Sequence, residues 1–234
     1  MSSTPLRPPS PSETGAQGLS ATPFAWPGAF DSPDTVERVW TDFVAHLEDP
    51  DQRTALRRAL AFARARHGDQ TRRGSDTPYW VHLVRVAMEL ADWGERSPEL
   101  LQAALLHDTV EDTRTSVGEI RVGFGSEVAD LVDWLTAPDR HEDLRAYYER
   151  LATKGPHRAQ ILKLADRVDN LRSIQALVMR TGDRHRHWAA TYLRRTVWQV
   201  LPLAAKAPSV ARVALVTAMA DLAPLVGEND FTES

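Results

Sequence analysis

The stretch Leu101-Gln102-Ala103-Ala104-Leu105-Leu106-His107-Asp108-Thr109-Val110-Glu111-Asp112-Thr113 restricts the folds open to this chain more than any other. An apolar run passes directly into a histidine and three carboxylates. On a helix each residue advances by about 100°. Asp108, Glu111 and Asp112 then fall on the side of Leu101, Ala104 and Leu105. Acids kept for solubility would lie opposite the leucines. Here they continue a core-facing stripe, so a helix from Pro98 to about Glu111 is expected to turn them inward. Buried carboxylates are costly unless paired or metal-bound. Carboxylates and neutral imidazoles suit hard to borderline divalent ions. The stretch therefore asks for a helical core with a metal-holding interior. The plainer alternative is a helix end whose acids meet water, and a His-Asp dipeptide alone would favour it.

Two further segments weigh against that alternative. In Ile161-Leu162-Lys163-Leu164-Ala165-Asp166-Arg167-Val168-Asp169-Asn170-Leu171-Arg172-Ser173, helical spacing gathers Ile161, Leu164, Val168 and Leu171 on one face. Lys163, Asp166, Asn170 and Ser173 gather on the other. An amphipathic surface helix has the same period, but its polar face is usually richer in mixed charge pairs. A cation, a carboxylate, an amide and a hydroxyl together suit a phosphorylated ligand and a metal. The other segment is Pro78-Tyr79-Trp80-Val81-His82-Leu83, which opens a helix from Val81 to Trp93. Alone, His82 would more often be structural than a ligand. It gains weight because the other two segments lack a second imidazole.

The 234 residues are 42% hydrophobic, enough for one substantial core. The net charge of −4 argues against a nucleic-acid binder. There is no apolar run long enough to span a bilayer and no signal-peptide pattern, and the lack of cysteine is compatible with a cytoplasmic protein. The absence of cysteine excludes disulfides, thiolate zinc sites and a catalytic cysteine. Residues 1–34 are rich in proline and serine and are expected to form a disordered tail, though Phe24, Trp26 and Phe30 could dock. Helical patterns then follow one another from Asp34 to Val226, with a capping box at Ser116 and a stop with a new cap at Thr181-Gly182-Asp183. No alternating strand pattern appears. The expected class is all-α, with one domain over 35–230. The loop His67–Thr77 is polar and basic. It reads either as a plain connector or as a seat for phosphates or a base under Arg72 and Arg73.

Together these segments resemble the HD-domain hydrolases of the alarmone family. That family comprises the hydrolase halves of RelA/SpoT-type proteins and the stand-alone small alarmone hydrolases. The matching pieces are Pro78-Tyr79-Trp80-Val81-His82, Leu105 through Thr113, Phe124-Gly125-Ser126-Glu127-Val128 and Lys163 through Asn170, within roughly 52–180. The resemblance implies a metal shell of His82, His107, Asp108 and Asp166 holding one manganese ion. It implies that Glu111 and Asp112 orient and deprotonate the attacking water. Arg72 would pack against the nucleotide with Arg73 beside it, Lys163 would meet phosphate, and Asn170 and Ser173 would contact the nucleoside. An ion with open coordination positions supplies a nucleophilic water near neutral pH. The implied reaction removes the 3′-diphosphate of guanosine tetra- or pentaphosphate as pyrophosphate.

Departures from the family pattern bear on substrate choice and not on the implied metal ligands. They are Arg66-His67-Gly68-Asp69-Gln70, Leu83 after the ligand histidine, Thr136-Ala137-Pro138, and Asp169 two places after Arg167. An adenine alarmone, NADPH 2′-phosphate or a catalytically silent alarmone-binding module are the alternatives. The segment after Arg180 is too short for a synthetase domain, so the expected activity is degradation only. An alarmone-synthesising protein is a conceivable partner.

Overall fold

The computed structural model describes residues 32–137 and 144–227, and every regular element in them is helical. Helix starts follow local chemistry. Ser32, Asp49 and Ser97 stand immediately before Pro33, Pro50 and Pro98, and their side chains accept backbone N–H groups of the first turn. These open α1 (Pro33–Ala45), α2 (Pro50–His67) and, after α3 (Trp80–Asp92), α4 (Pro98–Leu106). α5 is a single turn, Thr109–Asp112. Ser116 and Glu119 form the expected capping box of α6 (Val117–Phe124). Gly125, at φ 91°, turns the chain sharply into α7 (Ser126–Leu135). α8 (Leu144–Lys154), α9 (His157–Thr181), α10 (Arg186–Gln199) and α11 (Ser209–Val226) follow, with 3-10 turns at Gly182–His185 and Leu201–Lys206.

α9 is the axis of the fold. From Ala159 to Asp169 every residue is buried, the polar ones included, because α3, α4, α7, α10 and α11 surround it. A surface helix with this period would expose Lys163 and Asp166. Here both face an interior, and burial of Leu162, Leu164 and Val168 holds the helix in place at about 1.5–3 kcal/mol each.

The all-α expectation holds. Among the described residues no strand forms, and Thr71 and Pro78 make an isolated bridge that closes the basic loop. Four local expectations are corrected. The helix expected from Pro98 to Glu111 stops at Leu106; His107 and Asp108 form a break that re-aims α5. Asp108 stays largely buried, while Glu111 and Asp112 emerge exposed, so the acid pair does not point into the core. Asp183 does not cap α10 but pairs with Arg186 at 2.5 Å. Lastly, α11 is long and apolar enough to cross a membrane, with mean hydropathy 1.6. It packs on α9 through Ala211, Leu215, Ala218 and Leu222, spaced to cover one face. Of the expected tail, residues 1–31 lie outside the described residues, and Ser32–Asp34 already belong to the cap and first turn of α1. The start of the helix expected from Glu142 lies outside them too.

Candidate active site

Two elements bring two imidazoles together. His82 stands in the first turn of α3, and His107 at the break after α4; both are buried. His107 Nδ1 donates to the Ala104 carbonyl at 2.9 Å. His82 Nδ1 lies 2.6 Å from Asp169 Oδ2. With each Nδ1 engaged as donor, each Nε2 is the ring nitrogen left to take either a proton or a metal ion, and neither Nε2 has a hydrogen-bond partner. Buried nitrogens left bare in this way need an explanation.

The two nitrogens face a common point. His107 Nε2 lies 3.1 Å from Asp108 Oδ1, and His82 Nε2 lies 3.6 Å from Asp108 Oδ2. Asp166 Oδ1, from α9, lies 3.4 Å from His82 Nε2 and 3.7 Å from His107 Nε2. Ligands about 2.0–2.2 Å from one ion stand roughly this far apart. Electrostatics agree. Burial alone would lower the His107 imidazole, but Asp108 and Asp166 outweigh it and hold it at about 10. Burial would raise the Asp108 and Asp166 carboxyls, yet both sit well below the usual range, Asp108 under the pull of the imidazoles and Asp166 chiefly under that of Lys163. The cage thus attracts positive charge, which a divalent ion supplies in place of protons. The donor set fits a metal.

The remaining candidates surround this cage. Lys163 Nζ lies 3.0 Å from Asp166 Oδ2. Asn170 Nδ2 donates to Asp166 Oδ1 at 2.5 Å, and its Oδ1 accepts from Arg72. The Tyr79 hydroxyl lies 2.7 Å from Asp108 Oδ2 and 2.7 Å from Asp112 Oδ2. Glu111 Oε2 accepts the Ala137 N–H at 3.1 Å. Crowding by protein raises the Glu111 carboxyl, and Asp108 adds to this while Lys163 offsets part of it. Asp108, Glu111, Asp112, Lys163 and Asp166 line one cavity of about 270 Å³. Arg72, Tyr79, Asn170 and Tyr192 also line a second cavity, of about 450 Å³, walled further by Arg73, Ser173 and Trp188. Arg73 lies over the Trp188 ring at 4.7 Å.

All eleven residues singled out in the sequence thus fall in or around two adjoining cavities. Sequence reasoning missed several neighbours. Tyr79 sat inside a quoted motif without a role. Asp169 was noted only as a departure. Arg167 likewise sat inside the quoted Lys163–Asn170 segment without a role. Arg85, Trp188 and Tyr192 carried no local signal; only the i, i+3 spacing of His82 and Arg85 on one helix hinted at a shared face.

An all-helical enclosure around a His-Asp pair, with a second histidine and aspartate brought in from neighbouring helices, defines a class of helical proteins with a His/Asp metal site. The chain belongs to the HD domain family, whose model matches residues 59–206. It is 36% identical over 148 residues to guanosine-3′,5′-bis(diphosphate) 3′-pyrophosphohydrolase of Aquifex aeolicus (strain VF5), a match covering 60% of this chain and 20% of that one. It is 36% identical over 149 residues to guanosine-3′,5′-bis(diphosphate) 3′-pyrophosphohydrolase MESH1 of Homo sapiens, covering 59% and 83%. The chain thus spans about a fifth of the bacterial relative and most of the human one. A solved structure described as a metazoan ortholog of SpoT that hydrolyzes ppGpp and plays a role in starvation responses aligns with a TM-score of 0.61. That alignment has 30% identity and covers 71% of this chain and 94% of the other.

Proposed function

We propose that this protein hydrolyses the 3′-diphosphate of guanosine tetra- and pentaphosphate, releasing pyrophosphate and GDP or GTP. The observation that carries this reading is the pair of bare imidazole nitrogens beside two aspartates, opening onto a cavity walled by arginine and aromatic side chains. The similarity to proteins named for that reaction supports it. We take residues 35–230 as the functional unit.

His82, His107, Asp108 and Asp166 would hold the ion, manganese in our reading. When bound, such an ion lowers the pKa of water and offsets phosphoryl charge. The protein does the rest. Glu111, on the wall of the cavity beside the cage, accepts the proton of the attacking water. Asp112, tethered to Asp108 through Tyr79, orients that water. Arg72 and Asn170, bonded to each other, seat the nucleoside against Tyr79, with Arg73 and Ser173 on the same wall. Lys163 faces the phosphates with Arg167 and Arg195 beyond it. Arg167 is buried against Tyr148, Thr196 and Gln199 and pairs with no carboxylate among the described residues. A cation there offsets charge on the departing pyrophosphate. A cytoplasmic nucleotide pool, and an alarmone-synthesising partner that this activity opposes, complete the reading.

The test is a product assay with manganese on guanine and adenine 3′-diphosphates and NADPH. GDP and pyrophosphate from guanosine tetraphosphate are expected. Turnover of the adenine compound or NADPH alone would move the substrate assignment, and no turnover of any would leave a binding module.

A further inference from the structure

One buried carboxylate is neither in the metal cage nor exposed to the nucleotide, yet it touches the support of both. Asp169 sits on α9, and its contacts are to His82, Arg85 and Ser173. Its Oδ2 lies 2.6 Å from His82 Nδ1, and its Oδ1 accepts Arg85 Nε at 2.6 Å. Arg85 Nη2 reaches Asp169 Oδ2 at 3.2 Å and donates to Ser173 Oγ at 2.9 Å. Ser173 Oγ itself lies 3.5 Å from Asp169 Oδ2. Arg85 and Ser173 are also walls of the 450 Å³ cavity.

This arrangement has two chemical effects. A carboxylate on Nδ1 keeps the proton there and leaves the Nε2 lone pair for an ion. The two-pronged hold of Arg85 balances the Asp169 charge and fixes its direction, so the carboxylate cannot swing up and compete as a ligand itself. Neither effect needs the substrate.

We propose that Asp169 is a positioning residue of the metal centre, and that Arg85 and Ser173 clamp it from the wall of the nucleotide cavity, so that this wall sets metal affinity. The proposal rests on the reading of His82 as a metal ligand, and not on which nucleotide is cleaved.

The experiment titrates manganese calorimetrically into the metal-free full-length protein, as wild type, Asp169→Asn and Ser173→Ala. Asparagine can turn its NH₂ toward Nδ1 and favour the wrong tautomer. Asp169→Asn is therefore expected to weaken manganese binding by about 10- to 100-fold, the usual effect of losing a ligand's outer partner. Excess manganese should restore turnover, which a merely structural defect would not allow. Ser173→Ala should weaken manganese binding several-fold, in the same direction. Long-range ¹H–¹⁵N spectra should show His82 in the Nδ1–H form in the wild type and mixed in Asp169→Asn. Unchanged manganese affinity in a folded Asp169→Asn protein overturns the proposal. So does unchanged affinity with a raised KM, which would assign Asp169 to nucleotide binding. If Asp169→Asn does not fold, unchanged affinity in Ser173→Ala overturns it. A wild-type protein that binds no manganese overturns it together with the metal reading. One that binds manganese but cleaves no 3′-diphosphate overturns only the proposed function.

Discussion

The Tyr79 hydroxyl touches Asp112 at 2.7 Å while also lying 2.7 Å from Asp108, so one phenol joins a cage aspartate to an aspartate at the cavity lip. His67 stacks flat on the Tyr79 ring, with centroids 4.4 Å apart, and holds it in place. Tyr79→Phe keeps that stack and removes the link. A hydrogen bond to a charged group contributes about 1.5–3 kcal/mol, so kcat should fall by about 10- to 100-fold with metal content retained. Steady-state kinetics beside elemental analysis check this; an unchanged kcat would make the tyrosine a packing residue.

Asp108 and Glu111 lie three residues apart but belong to different tasks. Asp108→Ala should lose bound manganese and activity together. Glu111→Gln keeps its reach but cannot take up a proton as a carboxylate does, so it should retain metal and lose on the order of 10²-fold or more in kcat. A Glu111→Gln protein that arrives without metal would move Glu111 into the cage.

Arg72→Ala should raise KM more than it lowers kcat, because its partner Asn170 belongs to the nucleoside wall and not to the breaking bond. Asn170→Ala should show the same pattern, and the double variant should cost less than the two single losses combined, since both remove one bonded unit. Full additivity in a double-mutant cycle would contradict this.

Metal and protons compete for the same cage. In the metal-free protein His107 is held at about 10, above the roughly 6.5 of an unfolded chain. Its protonated form therefore contributes stability in full below pH ~6.5, and that contribution is lost as pH rises through about 10. The metal-free melting temperature should decline over that window. Manganese binding at pH 8 should release protons, measurable by calorimetry in two buffers of different ionisation heat. Binding without proton release at pH 8 would count against the cage.

Much of this protein was legible in the chain. The helix start at Pro98, the Ser116 capping box and the all-helical class are local matters, settled by caps and periodicity within a turn or two. The residue types of the cage, His107, Asp108 and Asp166, stood out because acids continued or opposed apolar stripes. Tertiary structure decided what those stripes meant. Periodicity carried a helix through His107, whereas the break at His107–Asp108 turns Glu111 and Asp112 out to the cavity lip. The period of α9 alone did not exclude a surface helix, and the helices packed around it make its polar face an interior. The pairing of His82 with Asp169 spans 87 residues. No local rule specifies such a contact, because it exists only where the packing of α3 against α9 brings two turns of chain together.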